Sequence, residues 1–382
     1  MASKQFKIVY CTPALYFAGG MERVLTMKAN YFAEQYGYDI TIILTEGKDK
    51  PLFYPLSDKV KVINLDIGFE ELWSCSFLKK IFFYLKKQYL YKKLLNSELM
   101  RLRPDITVSM LRREINFIND IQDGSKKIGE IHINRANFRN FEGNDANVLK
   151  SLFSKFWMNS LLSKLRKLDR FVVLTEKDKE AWVELNNVCV IPNPLSFTTS
   201  RRSELSEKRV IAVGRYCHEK GYDLLLKAWG IVQNRTKDWR LEIFGEGERT
   251  HYEEMIDTLN LDRQRCILNG RSSNIQAEFL NSSLSVCSSK FEGFGLVITE
   301  AMACGLPVVS FDCPWGPRAI ISDGEDGILV ENGNVEKLAE ALILMIQHPE
   351  QRIAMAGKAI ENVQRFRIDQ IAGRWKTLFE SL

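Results

Sequence analysis

The sequence predicts an α/β chain of two Rossmann-like, doubly wound parallel-sheet domains facing each other across a cleft. Short β-rich runs alternate with helix-period segments along its length, the pattern of βαβ units whose parallel sheets are covered on both faces. That pattern occurs twice, on either side of Pro192-Asn193-Pro194. With 382 residues, 45% of them hydrophobic, there is material for two domains of ordinary size.

Taken in order, the first half gives strands at Lys7–Cys11, Asp39–Thr45, Val60–Asn64, Asp105–Met110, Gly129–Ile133 and Arg170–Thr175, with helices near Met21–Tyr36 and Phe77–Met100. The second half gives strands at Arg209–Gly214, Arg240–Gly245, Cys266–Asn269, Leu284–Ser288, Pro307–Phe311 and Gly327–Val330. The paired prolines and the polar run Thr198–Lys208 fit neither sheet and are expected to form a linker. The expected domains are therefore 1–193 and 194–365, with a last helical segment at 366–382. A cleft between two such domains is a natural ligand site.

Composition narrows the class. The eight cysteines show no CxxC and no adjacent histidine pattern, so reduced thiols are expected rather than disulfides or a structural metal. The apolar run Phe6–Tyr10 is too short for a signal peptide, and no stretch approaches the roughly 18 apolar residues of a transmembrane helix. A cytoplasmic chain is expected. Charge is unevenly divided: residues 1–193 carry 30 Lys+Arg against 22 Asp+Glu, a net +8, and the remainder 23 against 26, a net −3. Much of the excess lies between Phe77 and Arg103, where eight bases meet one acid, Glu98, with aromatic and aliphatic residues between them.

The most informative stretch is Phe291-Glu292-Gly293-Phe294-Gly295-Leu296-Val297-Ile298-Thr299-Glu300. Gly293 and Gly295 let backbone approach a ligand closely, and the unpaired N–H groups of the helix they open form an anion site suited to a diphosphate. Eight residues of helix rise roughly 12 Å, so Glu292 and Glu300 are too far apart for the acid/base pair of a glycoside hydrolase, which needs about 5 to 9.5 Å. They are expected to orient opposite ends of one ligand.

With Gly214-Arg215, Lys220-Gly221, Phe244-Gly245-Glu246-Gly247, Glu292-Gly293-Phe294-Gly295 and Glu300-Ala301-Met302-Ala303-Cys304-Gly305 in that order, the chain resembles the retaining glycosyltransferases of GT-B fold, family 4. Gly19-Gly20, Glu130-Ile131-His132-Ile133-Asn134 and Ile191-Pro192-Asn193-Pro194 extend the likeness over nearly the whole chain. The resemblance implies a hexose donor linked to UDP, with Arg215 and Lys220 beside the pyrophosphate. It implies that Glu300 binds the ribose hydroxyls and Glu292 the sugar hydroxyls, that the amides of Phe294 to Leu296 complete the pocket, and that His132 contacts the transferred sugar. Gly19 and Gly20 would bring backbone amides to the diphosphate and acceptor. Retention with no enzymic nucleophile is implied, and with no DxD triplet Arg and Lys would replace a divalent metal. No cofactor is expected. The last helix would cross back onto the first domain.

The acceptor is expected to be a lipid-linked or membrane-presented glycan, by likeness to bacterial hexosyltransferases of surface polysaccharide or glycolipid assembly; ceramide or diacylglycerol is the alternative. Part of the Phe77–Arg103 helix is expected to pack on the first sheet, and the remainder suits an anionic bilayer, where each base near the surface contributes about 1 kcal/mol, with a merely solvated basic helix as the alternative; a similar patch spans Lys150–Arg170. A nucleic-acid partner is not expected, since no such motif accompanies the bases. The peripheral location is then the inner face of the cytoplasmic membrane. A dinucleotide oxidoreductase fails on its fingerprint, because no GxGxxG follows the first strand. A GT-B hydrolase or epimerase of sugar nucleotides, or a binder without chemistry, is the rival reading.

Overall fold

Near-continuous apolar runs, rather than alternating ones, mark strands buried on both faces, and they assemble the first sheet. In the computed structural model, which describes residues 4–74, 76–135 and 148–382, the chain divides into Met1–Pro192 with Ile368–Leu382, and Asn193–Arg367. The first unit holds β1 (Lys7–Cys11), α1 (Gly20–Gln35), β2 (Asp39–Leu44), β3 (Lys61–Asn64), α2 (Phe77–Leu102), β4 (Ile106–Ser109), β5 (Lys126–Glu130), α3 (Val148–Leu165), β6 (Arg170–Val173), α4 (Glu176–Ala181) and β7 (Val188–Val190). All seven strands are parallel, in the order β3-β2-β1-β4-β5-β6-β7. The order reverses between β1 and β4, which places the loops after those strands at a topological switch point.

The second unit repeats the plan with β8 (Arg209–Val213), α5 (Tyr222–Arg235), β9 (Arg240–Phe244), α6 (Thr250–Thr258), β10 (Cys266–Asn269), α7 (Ile275–Leu280), β11 (Leu284–Cys287), α8 (Leu296–Ala303), β12 (Val308–Phe311), β13 (Gly327–Val330), α9 (Val335–Gln347) and α10 (Pro349–Asn362). Its parallel order is β10-β9-β8-β11-β12-β13, with the switch between β8 and β11. The core gathers Leu225, Leu226, Trp229 and Val232 of α5 with Leu338, Leu342 and Met345 of α9, residues at helical spacing and fully buried. Asn334 starts α9 by accepting a hydrogen bond from the Lys337 N–H at 3.0 Å.

The final helix, α11 (Ile368–Glu380), belongs to the first unit. Its buried Ile371, Ala372, Trp375, Leu378 and Phe379 form one stripe. Phe379 packs edge-on or tilted against Phe32, Phe6 and Trp375, at 5.7, 6.1 and 5.6 Å between ring centroids.

Three sequence expectations shift. β5 runs Lys126–Glu130 rather than Gly129–Ile133, because two lysines begin it: the Lys127 N–H donates to Asp169 at 2.8 Å and its ammonium to Asp123 at 2.5 Å, which lets charged residues occupy a strand start. β7 was not anticipated, being three residues long. The segment expected as a linker lies on the second unit instead: the Leu195 N–H donates to the Phe366 carbonyl at 2.7 Å and the Ser203 N–H to the Cys304 carbonyl at 2.8 Å.

Helix α2 has two characters. Tyr91, Leu95 and Leu99 are buried in the core, whereas Phe82, Leu85 and Tyr89 are 66%, 62% and 74% exposed. The second basic patch falls partly on 150–156, whose side chains lie outside the described ones; its Leu161, Leu162 and Leu165 are core residues rather than surface. Among the described residues no helix is long and apolar enough to cross a membrane.

If α11 is an integral part of the first unit, Phe379→Ala should destabilise it by about 3–5 kcal/mol, the usual range for emptying a buried aromatic site. A urea titration followed by tryptophan fluorescence measures this; an unchanged midpoint would show that the helix adds little.

Candidate functional site

Two loops meet at the switch point of the second unit, one after β8 and one after β11. The first ends in a short 3₁₀ turn, His218–Lys220, closed by Gly221 in the left-handed region at φ 61°. A Cβ on Gly221 would lie 2.1 Å from the Ser288 carbonyl oxygen, so only glycine permits this approach. The loops are then stitched together. The Ser288 hydroxyl donates to the Lys220 carbonyl at 2.8 Å, and the Lys290 N–H to the Glu219 carbonyl at 2.8 Å. On the other flank, Gly245 abuts the Gly214 carbonyl, where a Cβ would come within 1.8 Å.

This stitching brings together two residues singled out in the sequence. The Lys220 ammonium donates to Glu292 Oε1 at 2.6 Å, and the Ser289 hydroxyl donates to the same oxygen at 2.7 Å. Lys220 and Glu292 are 21% and 15% exposed, so the pair is sheltered but not sealed. Burial works against the charged lysine, yet the neighbouring Glu292 carboxylate outweighs it, and the ammonium is held above its ordinary pKa. Lys220 is thus a cation at neutral pH. Arg215, on the same loop, is exposed.

The stretch after Glu292 turns into α8 through Gly295, whose φ of 103° suits glycine. The helix begins at Leu296, so the first part of the interval from Glu292 to Glu300 is not helical, and the rise expected from eight helical residues does not apply. Leu296 is half-buried and Gly293 likewise. Phe294 is a core residue: its ring meets Phe366 edge-on at 5.3 Å, leaving only its backbone as a ligand group. Gly316 closes over the loop, where a Cβ would sit 2.7 Å from the Phe294 carbonyl oxygen. Glu300 is buried within α8.

The remaining predicted residues lie in the first unit. Gly19 precedes α1 in an extended conformation and Gly20 is the helix's first residue; a Cβ on Gly19 would meet the Glu22 carboxylate, a flexible neighbour. His132 follows β5 by two residues instead of ending it. Its Nε2 lies 3.1 Å from Glu130 Oε1, and the same oxygen accepts a hydrogen bond from the Lys28 ammonium of α1. Lys28 and Glu130 are 1% and 2% exposed. Burial alone would raise the Glu130 pKa, but Lys28 and His132 override it and hold the carboxyl at about 2. Burial pulls the Lys28 ammonium below its ordinary value in spite of Glu130. Sequence reasoning missed Lys28. The available signal was a lysine inside the apolar stripe Val24-Leu25-Lys28-Ala29-Phe32 of an otherwise ordinary amphipathic helix.

Two facing loops at a switch point, a fixed cation and a glycine-opened helix N-terminus make a ledge of the kind that receives an anionic ligand in an α/β sheet. Residues 197–362 match the family model described as glycosyl transferases group 1. An uncharacterized glycosyltransferase of Haemophilus influenzae is 29% identical over 94% of this chain and 96% of its own length. The poly(ribitol-phosphate) alpha-N-acetylglucosaminyltransferase of Staphylococcus aureus is 27% identical over 69% of this chain; the match spans 53% of that longer protein. The solved structure of S. aureus TarM bound to fondaparinux, alpha-GlcNAc-glycerol and UDP has a TM-score of 0.77, covering 98% of this chain and 100% of that one at 18% identity. Residues 197–362 thus form a region of the glycosyl transferases group 1 type, and the fold of the whole chain is that of the GT-B glycosyltransferases.

Gly221→Ala should both force a non-glycine residue into the left-handed region, a cost of roughly 1–2 kcal/mol, and collide with the Ser288 carbonyl. Differential scanning fluorimetry should show a clear fall in melting temperature; an unchanged one would mean the loops are not locked as described.

Proposed function

We propose that the chain transfers a hexose, as galactose, glucose or an N-acetylated form, from a UDP-sugar to a hydroxyl of a lipid-linked or membrane-presented glycan, with retention of anomeric configuration. The observation that carries this reading is the Lys220–Glu292 pair on the loop that opens α8. Breaking the sugar–phosphate bond leaves negative charge on the diphosphate, and a preorganised cation beside helix N–H groups stabilises that charge without reorganising. Lys220 is such a cation, fixed by Glu292. Arg215, exposed on the same loop, is available to reach a phosphate that Lys220 does not.

Glu292 is half sheltered and one of its oxygens is committed to Lys220 and Ser289, so it contacts the sugar hydroxyls with what capacity remains. Glu300 serves the ribose, the amides of Phe294 to Leu296 the diphosphate, and His132 the sugar. Gly19 and Gly20 allow the backbone ahead of α1 to approach the donor or acceptor. With cations meeting the departing charge, no divalent metal is required. The choice of UDP is supported by the TarM complex, and a polymeric acceptor by the poly(ribitol-phosphate) in the name of the S. aureus relative.

A peripheral position on the inner face of the cytoplasmic membrane is supported by the exposed apolar and basic residues of α2. Lys79, Lys80, Lys86 and Lys93 are exposed around Phe82, Leu85 and Tyr89, a combination that suits anionic headgroups over acyl chains.

A melting-temperature panel of UDP-, GDP- and ADP-sugars should show stabilisation by the UDP series. With the donor so identified, Lys220→Ala and Arg215→Ala should each lower turnover by about 100-fold, and activity should persist in EDTA. Donor loss that ignores the acceptor would favour hydrolysis over transfer. Co-sedimentation with phosphatidylglycerol vesicles, set against phosphatidylcholine vesicles, should retain the wild type and lose Phe82→Ser/Leu85→Ser/Tyr89→Ser; equal partitioning of both proteins would sink the membrane assignment.

A further inference from the structure

The buried pair in the first unit asks for an explanation beyond packing. Replacing a buried ion pair by apolar groups of similar shape is often neutral or stabilising, and the stripe of α1 that holds Lys28 is otherwise Val24, Leu25, Ala29 and Phe32. A methionine there would fill the space without burying charge. Instead the ammonium is enclosed by Glu130 and two aromatic faces, with Trp375 of α11 at 4.3 Å and Tyr10 of β1 at 5.7 Å from ring centroid to nitrogen. Such faces partly replace lost hydration.

On the carboxylate, everything passes through one oxygen. Glu130 Oε1 meets both Lys28 and His132, while Oε2 is buried with no hydrogen-bond partner. An ionised carboxylate can only accept, so the proton on this contact must sit on His132 Nε2. In the neutral imidazole, Nδ1 is then the acceptor, the atom to which a hydroxyl would donate. A protonated Glu130 would lose that control, since its own O–H could donate and the other tautomer would fit as well.

We infer that Lys28 is a positioning residue for His132: its ammonium keeps Glu130 a carboxylate in a dry site, and the carboxylate fixes the tautomer and orientation of the imidazole. Trp375 brings the C-terminal helix into the same arrangement, by covering the lysine that sets the histidine. The inference deepens the proposed function, since it rests on the reading that His132 meets the sugar.

The charged or titratable groups facing Glu130 are Lys28 from α1, Tyr10 from β1 and His132 after β5, while α11 contributes only the uncharged Trp375. Without the ammonium, burial is opposed by His132 alone, and the carboxyl pKa rises.

The decisive variant is Lys28→Met/Glu130→Gln, which removes both charges with nearly the same volume and leaves no buried charge unpaired. It should fold, yet turn over about 100-fold more slowly, the scale of loss expected when a reacting group is misplaced. Added to His132→Ala, it should cost nothing further. Nitrogen NMR of the imidazole gives a readout independent of turnover: the Nε2–H form in the wild type, and a mixture in the double variant. In Lys28→Met alone, the acidic limb of the rate profile should move to higher pH. A folded double variant with wild-type turnover and an unchanged imidazole spectrum would overturn the inference. Should the double variant not fold, an unmoved acidic limb in Lys28→Met would do the same. If His132→Ala itself keeps full turnover, the sugar reading of His132 falls, and the imidazole spectrum alone decides whether Lys28 sets the tautomer.

Discussion

Gly221 lying against the Ser288 carbonyl is the contact on which the site of the second unit depends. It holds the loop after β8 against the loop after β11, and from it follow the Ser288–Lys220 hydrogen bond and the Lys220–Glu292 pair. Each loop alone would be a flexible turn with a solvated charge. Pressed together at the point where strand order reverses, they become a rigid ledge carrying a fixed cation. The glycine is therefore as much a part of the electrostatics as the lysine.

The two units solve a similar problem with different degrees of burial. Lys220 and Glu292 are sheltered but reachable, so a ligand phosphate or hydroxyl can compete for them. Lys28 and Glu130 are sealed, so that pair acts through its neighbours, and His132 is the one hydrogen-bonded to its carboxylate. Desolvation makes the sealed pair costly to assemble and firm once assembled. An arrangement of that kind orients a side chain, whereas the open pair is suited to meeting charge that develops during a reaction.

Helix α2 shows the same division along one element. Its C-terminal half is anchored by Tyr91, Leu95 and Leu99, and its N-terminal half presents Phe82, Leu85 and Tyr89 outward. Anchoring at one end makes exposure at the other tolerable, because the helix does not need its outer face to remain folded.

Much of the architecture was legible in the residues themselves. Most strand positions, the twofold repetition of the βαβ pattern and the glycine-opened start of α8 follow from short-range preferences: apolar runs, periodicity and the freedom of glycine at positive φ. β5 was displaced by three residues because it opens on two lysines, and β7 escaped because it is too short to leave a pattern. The pairing of side chains was beyond local reading. Lys220 and Glu292 are 72 positions apart, and Lys28 and Glu130 are 102 apart. Residue types and spacing nominate such groups as ligands, but which charge finds which partner, and how much water it keeps, is set by strand order and by the close approach of distant loops. Local sequence fixes conformation a few residues at a time, whereas burial and electrostatic pairing exist only once the chain has folded.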